Sequence, residues 1–152
     1  MAIATGTMTV TITESLDVGT TVMDTATSIA KTVTVNDIYK RVITVSTNEV
    51  TLYDTHDSNV GGSTFDDDLI TYVRISNYDA DSDVVLRLKN ADNDEFAYKL
   101  GAGQSFLLWG HEGTMNAVDA GTLDIGTGWH DLSSVKATST NSTCDLEIII
   151  AS

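Results

Sequence analysis

The sequence predicts an all-β domain, a two-sheet antiparallel β-sandwich that is jelly-roll-like, and three observations predict it. Apolar and polar residues alternate with a period of two along most of the apolar runs, as expected of strands with one buried face. Threonine is used heavily inside those runs, and β-branched side chains fit a pleated, half-buried surface. Proline is absent from all 152 residues, so the turns fall to Gly, Asn and Asp. No segment carries a helical period of any length, and no internal repeat appears at a fixed spacing, which argues against a propeller or solenoid.

Taken in order, Met8–Thr13 (MTVTIT) is the first strand, with Met8, Val10 and Ile12 on one face and Thr9, Thr11 and Thr13 on the other. Between Glu14 and Ser28 the pattern weakens into a loop or extended arm. The expected division is therefore residues 1–28, an extended N-terminal arm or first strand, and residues 29–152, the sandwich domain. Lys31–Val35 (KTVTV) resumes the alternation, Asn36-Asp37 turns it into IYKRVITVS, and a second short hairpin leads to EVTLYD. His56–Asp68 is polar, contains Gly61-Gly62 and reads as a surface loop. Leu69–Gly110 reads as a meander of consecutive antiparallel strands: Leu69–Ser76, Val84–Lys89, Glu95–Leu100 and Gln104–Trp109. Turns rich in Asp, Asn and Gly join them. His111–Gly121 has room for one short helical turn, TLDIGTGWHD is a Gly-broken loop, and LSSVKATS and TCDLEIIIAS are the closing strands.

Length and charge bound the function. A chain of this size is ordinarily one domain and buries a sizeable core. Eight basic residues against 22 acidic ones leave a formal net charge of -14, a field that repels phosphate backbones and anionic lipid. Neither nucleic acid nor a membrane surface is an expected partner. High ionic strength suits such a chain, because screening shortens to about 3 Å at 1 M salt. No apolar stretch approaches the roughly 20 residues of a membrane span, and no secretion signal is visible.

The residues that bear chemistry are few. Cys144 is the single cysteine, which excludes an internal disulfide and a Cys-based metal cage; in TCDLEIII it reads as a small apolar core thiol. Asp79, Asp81 and Asp83 alternate in DADSD, a loop chemistry that suits calcium. Val84 and Asn90 stand where an EF-hand loop needs its Gly and closing Glu, so that family is excluded and solvated turn chemistry competes with a metal role. Asp92, Asp94 and Asp66–Asp68 add further acidic turns. His56, His111 and His130 lack HxH, HxxxH or HExxH spacing. Trp109 and Trp129, each close to a His, are candidates for stacking on a sugar or anchoring an interface, or for closing the core. No GxSxG elbow, P-loop or GxGxxG is present, and GAGQS at Gly101–Ser105 reads as a strand-to-strand turn. No catalytic residue, cofactor or metal is expected from these motifs, calcium at Asp79, Asp81 and Asp83 being the one cation considered.

The segments YVRISN, VVLRLKN and EFAYKLGAGQSFLLWG, with the closing TGWHDLSSVKATST and CDLEIIIAS, resemble small β-sandwich virion proteins of tailed phages, especially marine ones. The resemblance covers roughly the C-terminal half and rests on architectural cues: an aGqsf turn, a Trp ending one strand, and an aliphatic strand last. It implies a head decoration or cement protein bound to the major capsid protein or another virion protein, or a tail or fibre component. It carries no catalytic residues. The expectation is a non-enzymatic capsid decoration protein, made in the host cytoplasm and located on the capsid surface. It would form a small symmetric oligomer such as a trimer, with Met8, Val10, Ile12, Trp109 and Trp129 as interaction residues. The alternative is a carbohydrate- or receptor-binding module of a tail or fibre. A Cys144 hydrolase is the third reading.

Overall fold

The structure, a computed structural model, describes residues 5–14, 16–18, 21–23, 28–54, 70–90, 93–109 and 132–152. Its strands are β1 (Gly6–Thr13), β2 (Leu16–Val18), β3 (Thr21–Met23), β4 (Ser28–Val35), β5 (Ile38–Val45), β6 (Val50–Asp54), β7 (Tyr72–Asn77), β8 (Val84–Asn90), β9 (Glu95–Leu100), β10 (Ser105–Leu108), β11 (Leu132–Ser139) and β12 (Cys144–Ala151). The expected all-β class is what the chain adopts, and it forms two compact units, Met1–Asn36 and Asp37–Ser152.

In the first unit β1 and β4 pair antiparallel through eight positions, from Gly6 opposite Val35 to Thr13 opposite Ser28. The pleat puts Met8, Val10 and Ile12 beside Val33, Lys31 and Ile29 on one face. The other face is small and polar, and the Thr9 and Thr32 hydroxyls meet across it at 3.2 Å. β2 and β3 form a separate antiparallel pair, Leu16 opposite Met23 and Val18 opposite Thr21. The segment expected to be a loop or arm therefore contains a hairpin, whose three-residue strands are too short to display a period. Lys31–Val35 also differs from expectation: its partner is β1, and Asn36-Asp37 joins two units instead of closing a hairpin with β5.

The second unit is two four-stranded antiparallel sheets, ordered β10-β7-β12-β5 and β6-β11-β8-β9. Its eight strands, counted along the chain, run six-three-eight-one in one sheet and two-seven-four-five in the other. That order is the double Greek key of a jelly roll. Both sheets feed one core, in which Val45, Ile75, Leu86, Val135, Leu146 and Ile148 are fully enclosed. On β8 the alternation is complete, with Val84, Leu86 and Leu88 buried and Val85, Arg87 and Lys89 half-exposed on the other side.

This topology corrects the meander. Of the consecutive strands in Leu69–Gly110 only β8 and β9 pair; β7 and β10, the first and last of them, pair with each other in the opposite sheet. The second short hairpin fails for the same reason, since β5 pairs with β12 and β6 with β11. A period of two tells which side chains point inward but not which strand lies alongside. Two corners carry the crossings. Asn77, 1% exposed, donates through Nδ2 to the Ser82 carbonyl (2.8 Å) and the Gly101 carbonyl (3.2 Å), and its Oδ1 accepts from the Asp79 amide (3.0 Å). It thereby ties the β7–β8 turn to the β9–β10 turn. In the latter, Gly103 has φ +70°, and the Gln104 side chain accepts from the Gly101 amide at 2.9 Å. At the start of this unit Asp37 and Ser152 exchange both backbone hydrogen bonds, at 2.9 and 3.0 Å.

Candidate functional site

Among the described residues, those singled out by sequence are divided between the two units. Met8 and Val10 are half-buried on β1, while Ile12 is 39% exposed opposite Ile29 at 65%. Trp109 follows β10 and is half-buried, its ring 5.5 Å from that of Tyr72 at 58°; its indole is committed to an aromatic contact inside the chain. Trp129, the three histidines, Asp66–Asp68, Asp92 and the His111–Gly121 segment lie outside the described residues.

Asp79, Asp81 and Asp83 share a turn without sharing a centre. Oδ1 of Asp79 accepts from the amides of Asp81 and Ser82, both at 2.8 Å, and these backbone donors hold its carboxyl below the usual range. Asp83 pairs with Lys99 Nζ at 2.6 Å, which lowers its carboxyl likewise. Asp81 is exposed. Asx-turn geometry and an ion pair thus account for two of the three carboxylates. Among the described residues no group of three His, Cys, Asp or Glu stands close enough to hold a metal ion.

Cys144 is 2% exposed and belongs to the core, and burial pushes its thiol up, away from thiolate. Beside it, a shallow cavity of about 370 Å³ is lined by Val42, Thr44, Tyr78, Asp79, Thr143 and Asp145 as well. The Thr44 hydroxyl donates to Asp145 Oδ1 at 2.6 Å. This hollow offers carboxylates and hydroxyls but no activated nucleophile.

Two arrangements escaped the sequence reading. Glu147 occupies an outward position of β12, yet it is only 3% exposed. Lys40 Nζ from β5 lies 2.8 Å away, Arg74 from β7 pairs with it, and the Tyr78 hydroxyl donates to it. Lys40 first, then Tyr78 and Arg74, hold its carboxyl below the ordinary value against the opposing effect of burial. The acidic position between Leu146 and Ile148 was the available signal, but the cations that enclose it come from strands far off in sequence.

The second arrangement is on β9. Its register against β8 sets Phe96 opposite Leu88 and Tyr98 opposite Leu86, the inward parity, yet Phe96 is 46% and Tyr98 37% exposed. Tyr98 stacks obliquely on Phe106 of β10 with ring centroids 5.1 Å apart. The side of the sandwich between β9 and β10 is therefore an open aromatic seam.

Charge is partitioned just as sharply. All eight Lys and Arg residues lie in strands, whereas among the described residues only Asp17, Asp54, Glu95, Asp145 and Glu147 of the acids do. Among the described residues most acids lie outside the strands, and each four-stranded sheet carries more Lys and Arg than Asp and Glu. No protein-family model, no curated protein and no solved structure matches this chain.

Proposed function

We propose that this chain is a non-enzymatic structural protein of a tailed-phage virion, a capsid decoration protein that binds at seams between subunits of the major capsid protein. In this reading it is made in the host cytoplasm, resides on the capsid surface and works as a small symmetric oligomer. The observation that carries the reading is the β1–β4 ribbon. It has two strands with no Asp or Glu and a single Lys31, and its apolar face leaves Ile12 and Ile29 exposed. A two-stranded sheet is marginal in water unless a further strand or surface completes it, so a partner's surface is the natural complement. The jelly roll agrees with this role, since capsid and lectin domains share it, but a fold alone carries no function.

The test is location. The chain should copurify with heads of the particle, and deletion of Met1–Asn36 should abolish binding to undecorated capsids while Asp37–Ser152 stays folded. Absence from every particle fraction would remove the reading. A carbohydrate- or receptor-binding module of a tail or fibre is the second reading, favoured by the exposed rings of Phe96 and Tyr98. A saccharide-specific signal on a glycan array that Tyr98→Ala removes would select it.

A further inference from the structure

Among the described residues the sandwich has four outer strands, and they are not equally protected. Natural sheets blunt their edges with short strands, bulges or charges pointing inward. β10 has only four residues. β6 meets β11 across a register shift between Val135 and Lys136. β5 carries Arg41 opposite the core residue Ile148, an inward-parity guard whose guanidinium donates to the Tyr39 hydroxyl. β9 has none of these devices: it runs six residues without a shift, and its inward-parity residues are Phe96, Tyr98 and Leu100, the first two exposed.

The geometry points to β9 as the docking edge for the β1–β4 ribbon of a second copy of this chain. The inference rests on the arm reading above and names where that arm goes between copies. Three features fit the pair. β1 presents Met8, Val10 and Ile12 at every second position, the same spacing as Phe96, Tyr98 and Leu100, so a strand laid along β9 aligns apolar residues with apolar residues. Its threonines then line up with Glu95, Ala97 and Lys99. Electrostatics select the segment: two chains of net charge -14 repel, and a ribbon with no acid approaches a strand holding one Glu and one Lys without that penalty. Because the arm of one copy meets a different surface on the next, the contact is heterologous, and closure of its rotation gives a ring.

The test uses the full chain and complementation. Wild-type protein should sediment as an oligomer. Val10→Lys, which damages the arm, and Tyr98→Lys, which guards the edge, should each give monomers of unchanged far-ultraviolet circular dichroism. Mixed one to one, the two variants should recover a hetero-oligomer, because each supplies the intact surface the other lacks. A monomeric wild type, single variants that stay fully assembled, or folded variants that remain monomeric on mixing would each overturn the inference. Hydrogen exchange on the wild type needs no substitution: amides of Glu95–Leu100 should slow as protein concentration rises, and concentration-independent exchange there would overturn it as well. A chain that binds capsid heads yet fails these tests would sink the arm-to-β9 contact and leave the decoration reading standing.

Discussion

Asn77 shows how one buried amide sets a corner of the fold. Its three hydrogen bonds serve two turns that cross between the sheets, and truncation would take the side-chain donor from the buried Ser82 carbonyl and leave the Gly101 carbonyl with the Gln104 amide alone. Asn77→Ala should cost about 1–3 kcal/mol, read as a lowered urea midpoint with an unchanged slope. Gly103 and Asn93 both hold a positive φ, so Gly103→Ala, although nothing crowds it, should cost about 1 kcal/mol from backbone strain. Glu147 gives the pH dependence its sign. A carboxylate held below its ordinary range contributes stability that is fully present above that range and is lost as pH falls through the lowered value. Melting temperature should therefore drop as pH falls below about 4.3, the ordinary glutamate value, and Glu147→Gln should flatten that part of the profile. Sequence reading treated Asn77 as the opening of a turn and did not single out Glu147, because neither burial nor a partner some seventy positions away leaves a mark on local pattern.

At the scale of elements, the period of two located nearly every strand, since burial of one face acts on neighbouring residues. MTVTIT, KTVTV, VVLRLKN and TCDLEIII all appear within a residue or a few of their expected ends. Pairing was legible only at β8 and β9, where a short turn leaves no alternative. Everywhere else the neighbour is chosen by how two sheets share one core, a choice made among distant segments. The exposed apolar residues divide in the same way: the apolar stripe of β1 is visible in the sequence, whereas Phe96 and Tyr98 have the pattern of ordinary inward residues of an internal strand. Their exposure follows from β9 being an edge, which is a property of topology. The closing strand is less forgiving, and Ile148→Ala, emptying a position with no solvent exposure, should cost about 2–5 kcal/mol.

For the whole molecule, the governing quantity is a net charge of -14, most acids among the described residues lying outside the strands. Self-repulsion of that kind opposes both folding and association. Added salt shrinks the screening length from about 30 Å at 0.01 M to about 3 Å at 1 M, so melting temperature and oligomer population should both rise across that range. A melting temperature indifferent to salt would mean that the acidic turns are too far apart to matter. The doubled hydrogen bond between Asp37 and Ser152 has a different kind of consequence. It brings the first and last residues of the jelly roll side by side, so this unit is topologically close to a closed ring of chain. A few glycines joining Ser152 to Asp37, with a new opening cut between Ala80 and Asp81, should give a circular permutant that keeps its melting temperature within a few degrees. In such a ring the order in which strands leave the ribosome is no longer tied to the order in which they lie in the sheets.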